Sequence, residues 1–242
     1  GLVNDYKEGG WLPEWSSPGY ANIMVGNNSA SVVSDAYIKG LRGYDTETLW
    51  KALVNGANNE GPMTAVGRAG APYYNKLGYV PYNVGVNESA ARTLEYAYDD
   101  FCGYQLAKMT GNTFYQDVFG KQMYNYKNVY DPSVGFMRGR KLDGQWLEDF
   151  DPYTWGGPFT EGNAWHYLWS VFQDPNGLID LMGEPGRHFA HGGQAGGMGK
   201  LITLLLHQCP GVFQGLFILQ LGGNVPKHNH GTVQRFTIEF GG

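Results

Sequence analysis

The stretch NESAARTLEYAYDDFCGYQLAKMTGN, residues 87–112, decides the fold class of this chain. Its apolar positions Leu94, Ala97 and Phe101 recur every three or four residues, so they share one stripe of an α-helix. Gly111 stands where a helix commonly ends in the left-handed conformation. The stretch therefore predicts a long helix that buries one face.

Helical spacing recurs on both sides of this stretch. The further segments with this spacing are residues 29–41, 45–59, 114–131 and 177–183. Asp45 is a typical helix cap, and the dipeptide Asp131-Pro132 is a typical stop. Paired helices joined by aromatic loops predict an all-α toroid of helical hairpins, of which only part is encoded here. Strands are expected to be minor.

Three aromatic segments interrupt or follow these helices. Residues 9–20 are dense in Gly, Pro and Trp and predict an ordered loop. Residues 133–158 show no sustained period and many turn residues, which favours a long functional loop. Residues 159–174 come directly afterwards and are interpreted as a helix.

The charge distribution excludes several classes of partner. The 22 acidic and 17 basic residues give a formal net charge of -5, and Lys and Arg form no run that would favour nucleic acid. No apolar run is long enough to span a membrane. Cys102 and Cys209 are too few for a disulfide framework or a zinc site. A neutral, polar partner fits this composition best.

Composition changes sharply near residue 184. All 7 Trp and all 17 Tyr precede it, whereas all of the 6 His except His166 follow it. We expect one domain over 1–183 and a tail over 184–242 that is a second domain or a frame-shifted or disordered continuation. His228 and His230 resemble the HxH pair of a cupin, but no Glu follows at the expected offset, so metal binding there is not favoured.

The segment FTEGNAWHY, residues 159–167, holds the leading catalytic candidate, Glu161. If Thr160 caps the following helix, an acid in its first turn is simply stabilised by the helix dipole. Alternatively, Trp155, Phe159 and Trp165 remove water from the carboxyl, and such desolvation raises the pKa of an acid toward the range that a general acid needs. The residues alone leave both interpretations open.

The hexapeptide TEGNAW at 160–165 resembles a motif of glycoside hydrolase family 92, the calcium-dependent exo-acting α-mannosidases. Further blocks resemble the family in order and spacing. They are GGWLPEW (9–15), SDAYIKG (34–40), TLEYAYDDF (93–101), GFMRGR (135–140), DGQW (143–146) and GLIDLMG (177–183). The resemblance covers residues 1 to about 183.

This resemblance implies both fold and activity. It implies part of an (α/α)6 catalytic toroid, and hydrolysis of terminal α-mannosides in glycans, including N-glycans, with inversion at the anomeric carbon. Glu161 takes the family's general-acid position by motif. The resemblance also implies an extracellular or periplasmic location for the parent protein.

The remaining catalytic parts are expected outside this chain. The family places its general base in a GNDDCG-type segment and shares calcium and sugar contacts between that segment and an HGNEP-type segment. Neither segment occurs here, and YDDFCG at 98–103 belongs to the separate TLEYAYDDF block, so it is rejected as the base. Calcium is thus expected in the full-length parent, with no metal ligand assigned here. The 242-residue chain is expected to be an inactive fragment.

Several other carboxylates are candidates with a structural alternative. Asp99 and Asp100 are adjacent and point about 100° apart on a helix, which favours a solvated or capping role. Asp149 and Asp151 precede Glu161 and are candidates for the pocket lining, although Asp-Pro turns account for them equally well.

Three tryptophans are candidates for stacking on a sugar face, namely Trp11, Trp15 and Trp155, against the alternative of buried packing. They support a competing function, a noncatalytic carbohydrate-binding module. A third interpretation is a different toroid glycosidase, such as a glucosidase.

Overall fold

The computed structural model describes residues 1–15 and 19–183. The α-helices are α1 (Leu2–Gly9), α2 (Ser29–Ile38), α3 (Thr46–Asn58), α4 (Ala71–Leu77), α5 (Ser89–Thr110), α6 (Thr113–Gln122), α7 (Ala164–Tyr167) and α8 (Pro175–Met182). A 3₁₀ helix, Asn125–Val129, precedes an antiparallel hairpin of β1 (Tyr130–Asp131) and β2 (Phe136–Met137). Strands in the described ranges are confined to this hairpin, so the predicted all-α class is confirmed.

Helix α5 is the central element of the described part. It packs against α6, α2 and the 3₁₀ helix, and most of its residues are buried. Gly111 ends it with φ 71°, in the predicted left-handed conformation. Asp45 caps α3 as predicted, because its side chain accepts a hydrogen bond from the backbone N–H of Thr48.

Two apolar clusters hold the helices together. One cluster joins the first half of α5 to the hairpin, α7 and α8, and includes Leu94, Tyr126, Met137, Leu168 and Leu178. The other joins α2, α3, α6 and the end of α5, and includes Val33, Leu49, Leu53, Leu106 and Phe119. Burial of these side chains fixes both ends of α5, which in turn positions the loops at its N-terminus.

The predicted helix over 159–174 is wrong in its extent, and Thr160 is not its cap. Glu161 has φ 46°, a left-handed conformation that cannot continue a right-handed helix. Helix α7 starts only after Asn163, whose side chain accepts hydrogen bonds from the N–H groups of Trp165 and His166. The helix predicted over 114–131 is also too long, since α6 ends at Gln122.

The predicted solvated or capping role of Asp99 and Asp100 is wrong, because both side chains are buried. Asp100 Oδ1 forms an ion pair with Arg68 Nη1 at 2.7 Å, and the Tyr74 hydroxyl donates to Asp100 Oδ2 at 2.7 Å. Asp99 Oδ2 accepts from the backbone N–H of Asn27 at 2.7 Å. Partners from α4, its preceding loop and the segment before α2 therefore replace the water expected around these acids.

In the described ranges, no helix combines the length and apolar character needed to cross a membrane. The predictions for the tail over 184–242, including those for His228 and His230, lie outside the described residues.

Candidate active site

An open cavity of about 1050 Å³ lies beside the N-terminal end of α5. Three segments form its wall: the loop 60–64, the turn 82–88 before α5, and the turn 156–161. The polar residues that line it come from these segments, from Asn22 and from α5; they include Asn22, Glu60, Thr64, Glu88, Arg92 and Glu161. A concave site of this size that combines a few polar groups with apolar ones suits a small polar ligand such as a sugar.

Glu161 stands at the wall of this cavity with its side chain exposed. Its φ of 46° is unfavourable for a residue with a Cβ, by about 1 kcal/mol or more. Such a conformation persists only where surrounding contacts fix the backbone. The turn therefore needs anchors on both sides of Glu161.

Hydrogen bonds to its immediate neighbours supply those anchors. The Tyr167 hydroxyl donates to the carbonyl oxygen of Thr160 at 2.8 Å. The backbone N–H of Gly156 donates to the carbonyl oxygen of Gly162 at 2.8 Å. The peptide groups on each side of Glu161 are thus held by the loop before it and the helix after it.

A third anchor ties the turn to α5. The carbonyl oxygen of Pro158 accepts from the backbone N–H groups of Ala90 and Ala91, each at 3.0 Å. These donors lie in the first turn of α5, where N–H groups have no partner inside the helix. The long central helix therefore sets the position of the Glu161 turn relative to the cavity.

Residues 1–190 match the Glycosyl hydrolase family 92 catalytic domain. The chain belongs to this family. The match covers more than half of the 242 residues, and it agrees with the family resemblance carried by the sequence blocks.

Solved structures of family 92 enzymes share this fold. An inverting mannosidase from Bacteroides thetaiotaomicron VPI-5482 is 36% identical with a TM-score of 0.74, over 91% of this chain and 32% of that one. An α-mannosidase from the same species is 34% identical with a TM-score of 0.70, over 77% of this chain and 24% of that one. The predicted fold class, part of an (α/α)6 toroid, is confirmed.

A curated relative from Arthroderma benhamiae is described as an uncharacterized secreted glycosidase. It is 28% identical to this chain, over 75% of the chain and 28% of the relative. The chain thus spans about a third or less of the length of the proteins that it matches.

The aromatic surroundings of Glu161 differ from the expectation. Phe159 is buried and lines the cavity, with its ring stacked on that of Tyr167 at 5.1 Å between centroids. Trp155 instead packs edge-on against His166 at 5.7 Å between ring centroids, and Trp165 packs edge-on against Phe136 at 4.7 Å. All three rings therefore pack against other aromatic neighbours, and the Glu161 side chain is exposed instead of being shielded from water by them.

Asp151 lies in a turn next to the main cavity. It accepts hydrogen bonds from the Tyr153 N–H at 3.0 Å and from the Thr154 hydroxyl at 3.2 Å. With Asp149 it lines a smaller pocket of about 60 Å³, which shares Gly156 and Phe159 with the main cavity. This arrangement matches the structural alternative for Asp151, and its contact with substrate stays a prediction.

The tryptophan candidates stand apart from the main cavity lining. Trp11 is half-buried, while Trp15 and Trp155 are exposed. Among the described residues, the lining includes none of these three side chains. Their stacking on a sugar stays a prediction, with Trp155 directly preceding Gly156 of the cavity wall.

Sequence reasoning missed three charged residues of the cavity, Glu60, Glu88 and Arg92, of which the last two form an ion pair. The Arg92 guanidinium is buried and donates to the carbonyl oxygens of Asn87 and Thr64, each at 2.9 Å. It also pairs with Glu88 at 3.2 Å. Their separation of four residues on the predicted helix was the available signal, since residues four apart share a face.

The residues described over 1–15 and 19–183 hold no group of three or more His, Cys, Asp or Glu side chains suited to a metal ion. The place of the ligands for the calcium that the resemblance implies stays a prediction.

Proposed function

We propose that this chain is the general-acid segment of a longer family 92 enzyme that releases terminal α-linked mannose from glycans. The supporting observation is that Glu161 lines a cavity of about 1050 Å³ on a turn held from both sides. Family membership and similarity to two mannosidases favour an α-mannoside as the substrate.

The proposed chemistry begins with the proton of the Glu161 carboxylic acid. As the bond between the anomeric carbon and the glycosidic oxygen breaks, Glu161 donates this proton to the departing oxygen. Water attacks the anomeric carbon from the opposite face and gives its own proton to a second carboxylate. The product is a free sugar of inverted configuration, together with the shortened glycan.

The chain's own contribution is the fixed position of the acid. The anchors at Thr160, Gly162 and Pro158 hold the Glu161 backbone before substrate binds. Such preorganisation reduces the loss of conformational freedom in the reactive complex.

The general base and the calcium site are proposed to lie in other parts of the full-length enzyme. Calcium enters the proposal through the family resemblance, with ligands outside the residues described. An extracellular or periplasmic location is proposed as well, and it is supported by the secreted relative.

The experiment uses the full-length enzyme that contains this chain. It is assayed on α-linked mannobioses and on matched α-glucosides, and the first-formed anomer is followed by proton NMR. We expect mannose to be released first as its β-anomer, and a metal chelator to abolish turnover until calcium is restored.

Other outcomes would contradict the proposal. The α-anomer as first product would overturn inversion, and preferential cleavage of glucosides would favour the glucosidase alternative. Mannose binding without cleavage would favour the carbohydrate-binding module.

A further inference from the structure

We propose that Glu88 is a second glycan-binding residue of the Glu161 cavity, and that Arg92 positions its carboxylate to accept hydrogen bonds from sugar hydroxyl groups. This inference rests on the proposed function, since it assigns the residue that holds the glycan near the acid. Its ligand is a pyranose ring with free hydroxyl groups.

The backbone of Glu88 gives the first argument. It precedes α5 with φ 59° and ψ 38°, a left-handed conformation that glycine adopts with less strain. In the described residues, the non-glycine residues with positive φ are Met24, Glu88, Asp149 and Glu161. Only the two glutamates among them line the main cavity. Strained backbone of this kind is concentrated at functional sites.

The side chain of Glu88 does not cap helix α5, although the residue occupies the N-cap position. The side chain makes no capping hydrogen bond. Asp, Asn, Ser or Thr would cap this helix, and Gly would relax the backbone. A purely structural role therefore leaves the presence of a glutamate unexplained.

Arg92 explains how the carboxylate is held. Arg92 Nη2 lies 3.2 Å from Glu88 Oε2, while its Nε and Nη1 donate to backbone carbonyl oxygens. The Arg92 side chain is nearly inaccessible, whereas that of Glu88 is 32% exposed. A buried, fully engaged guanidinium thus orients a carboxylate that still reaches the cavity.

This leaves one carboxylate oxygen for a ligand. Glu88 Oε2 pairs with Arg92, and no hydrogen bond to Oε1 occurs within the described residues. Ionised carboxylates accept strong hydrogen bonds from hydroxyl donors. An i,i+4 ion pair alone stabilises a helix by only about 0.2–0.5 kcal/mol. Hydroxyl recognition therefore accounts better for the exposed oxygen than helix stabilisation does.

Glu88 also lies close to the turn that carries the acid. Glu88 directly precedes the first turn of α5, where the N–H groups of Ala90 and Ala91 bind Pro158 of the acid's turn, and Glu88 and Glu161 line the same cavity. The hydroxyl of Tyr167 anchors Thr160, directly before Glu161. A sugar bound to Glu88 would thus lie in the same cavity that Glu161 lines.

The test is Glu88→Gln in the full-length enzyme, with kinetics on an α-mannobiose and on an aryl α-mannoside. Gln keeps the side-chain shape but removes the charge. We expect KM for the mannobiose to rise about ten- to a hundred-fold, because hydrogen bonds to charged groups are strong, with a much smaller change in kcat. If KM rises for both substrates, Glu88 binds the mannose that is cleaved; a rise for the mannobiose alone assigns it to the departing sugar.

The matched control is Glu47→Gln. Glu47 forms an i,i+4 pair with Lys51 at 2.7 Å on α3, with both side chains exposed and outside the cavity. It should leave KM unchanged. Glu88→Gly serves as a second variant, because it relaxes the backbone yet removes the carboxylate. Thermal unfolding checks that it is folded, and it should still raise KM.

Unchanged KM for both substrates in Glu88→Gln and Glu88→Gly, with the wild-type enzyme active, would overturn this inference alone. A folded wild-type enzyme that cleaves no mannoside would overturn the proposed function and this inference together.

Discussion

Glu95 shows at the residue scale how burial on α5 makes stability depend on pH. Its side chain is half-buried, and burial raises the pKa of its carboxyl from 4.5 to about 7. A raised pKa means that the folded state favours the protonated form. The contribution of the Glu95 carboxyl to the free energy of unfolding is therefore fully present below pH 4.5 and is lost as pH rises through 7.

We predict that Glu95→Gln raises the free energy of unfolding at pH 8 by up to about 3 kcal/mol and changes it little at pH 4.5. Urea unfolding at the two pH values measures this difference. Glu14 and Asp99 also have pKa values raised by burial, so the variant should reduce the pH dependence without removing it. The prediction is contradicted if, at pH 8, Glu95→Gln raises the free energy of unfolding by no more than the exposed control Glu47→Gln does.

Sequence reasoning singled out Glu161 as the acid, a role that stays a prediction, but misjudged its surroundings. The motif at 160–165 singled out the residue, whereas its φ of 46° depends on hydrogen bonds from Tyr167 and Gly156 that have no recognisable sequence pattern. It also depends on the contact of Pro158 with α5, which is remote in sequence. The burial of Asp99 and Asp100 was missed for the same reason. Their partners Asn27 and Arg68 are remote in sequence.

At the scale of elements, Gly103 determines how closely α5 and α6 approach each other. A Cβ added at Gly103 would lie 2.9 Å from the Phe119 ring, which is buried in the second apolar cluster. We predict that Gly103→Ala destabilises the chain by about 1–3 kcal/mol, because this overlap outweighs the higher helix propensity of Ala. Thermal or urea unfolding measures the loss.

Gly120→Ala on α6 is the matched control. Its Cβ would lie 3.3 Å from the ring of Tyr104, which is only partly buried and has room to adjust. Gly120→Ala should lower the free energy of unfolding by clearly less than Gly103→Ala does. If both variants lose the same free energy of unfolding, the overlap of a Cβ at Gly103 with Phe119 is not the cause of the destabilisation.

The elements that sequence predicted best are those with strong local signals. Helices α3 and α5 have regular apolar spacing and recognisable ends, so Asp45 and Gly111 marked their boundaries correctly. Helices α1 and α4 were not predicted. The short α7 was predicted too long, because its start at Asn163 depends on the left-handed turn before it.

At the scale of the whole molecule, the proposal separates the acid from the rest of the catalytic apparatus. We predict that the 242-residue chain alone does not hydrolyse an activated aryl α-mannoside, with or without added calcium, whereas the full-length enzyme does. A general acid without a positioned base leaves the attacking water unactivated. Turnover by the isolated chain, in the absence of any contaminating glycosidase, would mean that the base lies within these 242 residues.

The family and the all-α toroid were predictable at this scale because both rest on several blocks distributed over residues 1–183. The cavity was not predictable, because it forms where the loop 60–64, the turn 82–88 and the turn 156–161 meet. No local sequence pattern indicates that these three segments lie together. Glu88 and Arg92 were missed for this reason, although both lie next to a recognised block.

The central claim is that Glu161 is the general acid, and Glu161→Gln in the full-length enzyme tests it most directly. The measurement is kcat/KM for an α-mannobiose, whose departing sugar needs a proton, and for a dinitrophenyl α-mannoside, whose leaving group does not. We predict a loss of about 10²- to 10⁴-fold on the mannobiose and a far smaller loss on the activated substrate. Equal losses on both substrates, in a variant as stable as the wild type, would contradict the account.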